Sequence, residues 1–127
     1  MPTVATYYQL LDDLVIVTGS LTLTQNITVP PAGGEGALVT WFAGAAVEGG
    51  GSVTYTVTLN GSLIGSYEVI SEFLGVAFRI PVQEAIATGV VKHGSGAAGN
   101  NSLVFTKTGG AGTLTLSAVM LWHRVNV

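Results

Sequence analysis

The chain reads as short alternating segments cut by glycine-rich turns. The clearest alternation runs from Ser52 to Leu59. Val53, Tyr55, Val57 and Leu59 share one phase, and Ser52, Thr54, Thr56 and Thr58 the other, the period-2 pattern of a half-buried strand. Asn60-Gly61 follows and supplies the two left-handed residues of a type I′ hairpin, so the return strand carries Leu63, Gly65, Tyr67 and Val69. LVIV and LTL, between Leu14 and Leu23, are divided by Thr18-Gly19-Ser20, and the phase of Leu21 and Leu23 continues through Ile27 and Val29 until Pro30-Pro31. Ala37 to Ala45 is apolar on both faces and predicts a central strand. Phe73 to Val82 reads as a further strand, with Pro81 ending its pairing or marking it as an edge. Leu103 to Lys107 and Thr113 to Val125 make a final pair joined across TGGAG.

Only two stretches suggest anything else. Residues 82–88, VQEAIAT, are the best internal helical candidate at about two turns. Residues 1–13 form an N-terminal arm or one helical turn, with Tyr8, Leu11 and Val15 on a stripe, ahead of a single domain over 14–127. About eight strands without βαβ spacing predict an all-β fold, an antiparallel jelly-roll sandwich.

The final strand breaks the rule that the others keep. In TLTLSAVMLWHRVNV, Leu114, Leu116 and Ala118 alternate with Thr113, Thr115 and Ser117, and then Val119 to Trp122 are apolar on both faces. If Val119, Leu121 and Val125 lie on an outer face, each forfeits about 1.5–3 kcal/mol of burial. A closed homo-oligomer would recover most of it, with Val119, Leu121, Trp122, His123 and Val125 at the interface. Aspartate at Val119 or Leu121 is then expected to dissociate the assembly before it damages a subunit. The alternative is a monomer whose N-terminal segment covers the second face.

Composition sharpens this. The chain has 127 residues, 9% charged, against about 25% in an ordinary globular domain, and a mean hydropathy of +0.57. No apolar run reaches the roughly 18 residues that span a bilayer as a helix, so no membrane partner is expected. The net charge is −3, and Arg79, Lys92, Lys107 and Arg124 are isolated; phosphate neutralisation needs them clustered, which excludes nucleic acid. With no cysteine, disulfides and thiol chemistry are excluded. The start, MPTVATYYQLLDDL, lacks the basic and apolar regions of a secretory leader. It reads either as a full cytoplasmic product or as a chain whose leader was removed.

Candidate chemistry is sparse. His93 beside Lys92 and His123 beside Arg124 find no nucleophile-elbow motif, and GSGAAG lacks the Lys-Ser/Thr ending of a phosphate loop. No catalytic residue, cofactor or enzymatic activity is predicted. Asp12-Asp13 is the only adjacent acidic pair, far short of the six or more oxygens calcium takes, so no metal site is predicted. The sequons at Asn26, Asn60 and Asn100 are ordinary in so Asn/Ser/Thr-rich a chain. Loops 33–36, 48–52 and 89–102 are where a glycan would be recognised, with Glu48, Lys92, His93, Asn100 and Asn101 as the possible ligand residues.

The order of elements carries a resemblance. A double-Pro loop, the Trp41-Phe42 strand, the strand ending at Asn60-Gly61, Ile80-Pro81-Val82, NSLVF from Asn101 and GTLTLSAVMLW from Gly112 come in that sequence. Over residues 20–125 this resembles jelly-roll modules of the galactose-binding-like and carbohydrate-binding kind. That resemblance implies a sandwich, often with a structural calcium site and loop aromatics for sugar, neither of which matches a motif here. The chain is also similar to head decoration (cement) and fibre proteins of tailed phages in size, plain Met start, missing cysteine and low charge. Those proteins trimerise and grip a capsid. The expectation is a structural homotrimer of the virion, assembled in a host cytoplasm and seated on a shell protein. An extracellular glycan-binding module is the alternative.

Overall fold

The computed structural model describes residues 4–26, 37–46, 51–71, 80–87, 89–92, 94 and 96–126. Eight strands stand in order among them: β1 (Val4–Val17), β2 (Ser20–Asn26), β3 (Ala37–Ala46), β4 (Gly51–Leu59), β5 (Ser62–Ser71), β6 (Ile80–Ile86), β7 (Asn100–Gly109) and β8 (Thr113–Asn126), with one 3-10 turn, Gly96–Gly99. They form two antiparallel four-stranded sheets in the orders β1-β8-β3-β6 and β2-β7-β4-β5. That is the jelly-roll order, in which successive strands cross between sheets in Greek-key fashion.

Crossing between sheets corrects one expectation. β7 and β8 do not pair across TGGAG; β7 lies between β2 and β4, and β8 between β1 and β3. The Asn60-Gly61 hairpin is as predicted, with φ of 52° and 83° and Leu59 opposite Ser62. Two helical readings fail. Residues 4–13 belong to β1, paired with β8 from Val4 opposite Asn126 onward, so they are extended and form no helical turn. VQEAIAT contributes to β6, where Val82 and Glu84 oppose Trp41 and Val39; two turns' worth of helical periodicity is too short to outweigh a sheet edge. Pro81 sits on that edge strand, as a proline must.

The core fills the space between the sheets. Val39, Trp41 and Ala43 of β3 and Leu114, Leu116, Val119 and Leu121 of β8 meet Val53, Tyr55, Val57 and Leu59 of β4 and Leu103 and Phe105 of β7. Trp41 is the centre, edge-on to Phe105 at 5.3 Å and to Tyr67 at 5.5 Å.

The broken alternation of β8 has a local cause. Thr40 opposes Met120, yet Phe42 opposes Ser117, so two β8 residues, Ala118 and Val119, face the single Trp41. Ala118 is left-handed at φ 48°, the signature of a β-bulge that inserts one residue and reverses the phase. Before it Leu114 and Leu116 point inward, and after it Val119 and Leu121 do. On the other flank β1 absorbs the offset, since Leu10 opposes Met120 and Asp12 opposes Val119.

Candidate functional site

Val119 and Leu121 are 0% and 1% exposed within one chain. They are core residues of the monomer, and the interface expected from them is corrected: the bulge turns them inward, so no partner is needed to cover them. Among the described side chains of that set, Trp122 lies outward and half-buried. His123 and Val125 fall within β8, and their side chains lie outside the described residues.

The loop-end candidates separate in the same way. Glu48 and His93 lie outside the described residues. Lys92 and Asn100 are exposed, and Asn101 is buried. Asn101 is an organiser: its Oδ1 accepts from Lys92 N (2.7 Å) and from Asn60 Nδ2 (3.0 Å), while its Nδ2 donates to Lys92 O (2.8 Å) and Gly99 O (3.0 Å). Asn60 completes the knot, donating to Val90 O at 2.6 Å and accepting from Ser102 N at 2.9 Å. The Asn101 amide makes all four of its bonds and both Asn60 N–H groups are used. Together they tie Val90, Lys92 and Gly99 to the β4–β5 hairpin.

A second polar cluster was not foreseen. At the side of the sandwich where β5 and β6 form the sheet edges, Tyr67 Oη donates to Glu84 Oε1 at 2.6 Å. Beneath it Trp41 Nε1 donates to Tyr55 Oη at 2.9 Å, and the two tyrosine rings lie 5.2 Å apart. Burial pushes the Tyr55 phenol up to about 12, against the smaller lowering effect of the Trp41 hydrogen bond. Tyr67 is raised by burial first and then by the Glu84 carboxylate. Gly65 leaves room for the Tyr67 ring, whose hydroxyl end would have to move to admit a Cβ there. This clasp closes the sandwich across its open edge. Glu84 was hidden in the sequence by its helical reading.

The third feature is the outer face of the β1-β8-β3-β6 sheet. Phe42, 43% exposed, stands in line with half-buried Leu38 and Thr40 of β3. On β8, Met120 opposes Thr40 and Trp122 opposes Leu38. Trp122 Nε1 donates to Thr40 Oγ1 at 2.9 Å, which fixes the indole. Gln83 and Pro81 of β6 oppose Thr40 and Phe42. Around Phe42 the described outward side chains of β3, β6 and β8 form an apolar surface with hydroxyl and amide groups interspersed. The side chains of Asp12, Asp13 and Arg124, which belong to the same sheet, lie outside the described residues.

No family model and no curated protein sequence matches the chain. Solved structures do. The chain is similar to BuGH86, crystallised in complex with neoagarooctaose, with TM-score 0.66 and 15% identity over 99% of this chain and 20% of that one. Latent PorU from Porphyromonas gingivalis aligns with TM-score 0.61 and 13% identity over 98% of this chain and 13% of that one. A family 35 carbohydrate binding module from Clostridium thermocellum aligns with TM-score 0.52 and 12% identity, covering 92% of this chain and 97% of the module. The chain spans a fifth or less of the first two. At these identities the likeness establishes the fold: a β-sandwich shared with carbohydrate-binding modules. Among the described residues no group of three or more His, Asp or Glu is placed to hold a metal ion, and no helix is long and apolar enough to cross a membrane.

Proposed function

We propose that the chain is a non-catalytic carbohydrate-binding module that receives a neutral glycan on the outer face of β1-β8-β3-β6. The observation that carries this is Phe42, a large aromatic left 43% exposed, two residues along β3 from Thr40, whose hydroxyl holds the Trp122 indole on the same face. An exposed contiguous apolar patch marks an interaction site. A sugar ring has apolar C–H faces and a polar rim, matching a surface that offers aromatic planes with Thr40 and Gln83 nearby. The groups around Phe42, namely Thr40, Pro81, Gln83 and Met120, are uncharged, which favours a neutral polymer over a sulfated or uronic one. The whole-length likeness to a carbohydrate binding module supports this reading; a virion role and a trimer have no such support. Lys92 and Asn100, held out by the Asn60–Asn101 knot, extend the reading to the loop end as a secondary contact.

Affinity electrophoresis through gels containing neutral polysaccharides tests it. Agarose is the first probe, because neoagarooctaose is the ligand of the BuGH86 complex. Wild type should be retarded by at least one polymer, and Phe42→Ala should lose at least about tenfold in affinity, the equivalent of 1.4 kcal/mol. Unretarded migration of wild type through every neutral polymer overturns the reading.

A further inference from the structure

The jelly roll leaves two strands at one side of the sandwich, β5 ending one sheet and β6 ending the other, and they are protected very differently. A free edge presents a row of backbone donors and acceptors, and proteins blunt it with short strands, proline, lysine or inward-pointing charge. β6 has three of these devices: seven residues, Pro81, and a charged Glu84 on its inner side. β5 has none. It runs ten residues, SLIGSYEVIS, with no proline, no lysine and a single charge, Glu68. Its outward positions include Leu63 and Ile70, 65% and 67% exposed, two of the four large apolar side chains most open to solvent among the described residues.

We infer that β5 is a docking edge for a second copy of this chain, pairing antiparallel about a two-fold axis to join two β2-β7-β4-β5 sheets into one eight-stranded sheet. The strand is self-complementary in that register. With the axis through Tyr67, Glu68 falls opposite the partner's Ser66, a hydroxyl able to donate to it, and no carboxylate meets another. Val69 falls opposite the partner's Gly65. Ile64 is bulged out of the pairing with β4 and packs against the core. Beyond Gly65 it is therefore the partner's Leu63 that comes level with Ile70, and the exposed apolar groups at the two ends of the strand cover each other. Pairing consumes both β5 edges, so the assembly closes at two subunits. This inference is independent of the glycan reading, whose face belongs to the other sheet.

Sedimentation velocity over a concentration series supplies the test. Wild type should pass from monomer to dimer. Leu63→Lys and Ile70→Lys, both at exposed positions, should hold the chain as monomer with an unchanged circular dichroism spectrum. Ile80→Lys on the protected edge should leave the dimer intact. Because the chain has no cysteine, oxidised mixtures of Ser66→Cys and Glu68→Cys chains should give far more cross-linked dimer than either variant alone. Wild type that stays monomeric at every concentration overturns the inference, whether or not the variants fold. So does a dimer that Leu63→Lys and Ile70→Lys leave undisturbed, or a cysteine mixture that cross-links no better than its components.

Discussion

The outer faces of the two sheets differ although their inner faces are alike. Over β2-β7-β4-β5 the outward positions are a comb of hydroxyls: Thr22, Thr54, Thr56, Thr58, Thr106 and Ser66, with Thr108 donating to Thr54 at 3.2 Å and Ser20 to Thr106 at 3.3 Å. Over β1-β8-β3-β6 they include Leu38, Phe42, Met120 and Trp122. Both sheets bury Val, Leu and aromatic side chains on the other side. A sheet facing only water needs no apolar outer row, and across β2, β7 and β4 the first sheet has only Val104 among the described residues, with Leu63 and Ile70 at its β5 edge. The second keeps aromatic side chains where they forgo burial, which points to a surface with a use beyond folding.

The largest effect expected from this contrast is at Val119. Aspartate there places an unpaired charge in the core, and such changes cost more than about 4 kcal/mol. The chain should fail to fold, where the sequence reading expected a dissociated but folded subunit. Thr56→Asp, on the hydroxyl comb between Ser66 and Thr106, should cost about 1 kcal/mol or less. Urea denaturation of both variants reads the difference. A folded, monomeric Val119→Asp chain would return Val119 to the surface.

How much of this was legible follows the same division. Where alternation is strict, as in β4, the sequence names the buried row, the outer row and the Asn60-Gly61 turn, while on the return strand a bulge at Ile64 turns Leu63 out of phase with Gly65, Tyr67 and Val69. Where a bulge intervenes, period-2 reasoning carries the wrong phase past it. Nothing in SAVML marks Ala118 as left-handed, because the usual sign is glycine. The surplus of apolar residues in β3 and β8 was real, but the phase reversal assigns it differently: Val119 and Leu121 inward, Met120 and Trp122 outward. Phe42 carried a signal of its own, standing beside Trp41 in a strand apolar on both faces, since two adjacent aromatics cannot both face the core. Glu84 was missed for another reason. Seven residues that fit a helix as well as an edge strand are decided by their neighbours in space, and the sequence does not contain those.

The inner row of the hydroxyl-faced sheet makes a second test, because it holds a buried phenol. Tyr55 is neutral when folded, with its ionisation pushed up to about 12, while an unfolded tyrosine ionises near 10. The folded state therefore holds the proton that the unfolded state gives up. Tyr55's share of stability is complete below about pH 10 and is lost as the pH rises toward 12. At about 1.4 kcal/mol per pKa unit the loss is on the order of 2–3 kcal/mol, and Tyr67, shifted the same way, adds to it. Denaturant midpoints measured from pH 8 to pH 12 should fall steeply above pH 10. Tyr55→Phe should flatten that fall while lowering stability at pH 8, because Trp41 Nε1 loses its acceptor. A midpoint as pH-insensitive above pH 10 as below it would mean that the row is open to water.

The smallest effect isolates the bulge itself. An alanine held in the left-handed region carries a cost of about 1–2 kcal/mol that glycine does not. Glycine also has more backbone freedom to lose on folding, about 0.5–1 kcal/mol relative to alanine. The difference leaves Ala118→Gly stabilising by about 0.5–1 kcal/mol. Thr56→Gly, in the extended and regular β4, has no strain to relieve; it should destabilise by about 1 kcal/mol through lost β-propensity and added chain entropy. The same residue introduced into the two sheets should thus move the urea midpoint in opposite directions. Equal losses at both positions would place Ala118 in ordinary strand geometry. The phase of β8 would then run unbroken past Leu116, with Val119 and Leu121 turned outward and Met120 and Trp122 turned in.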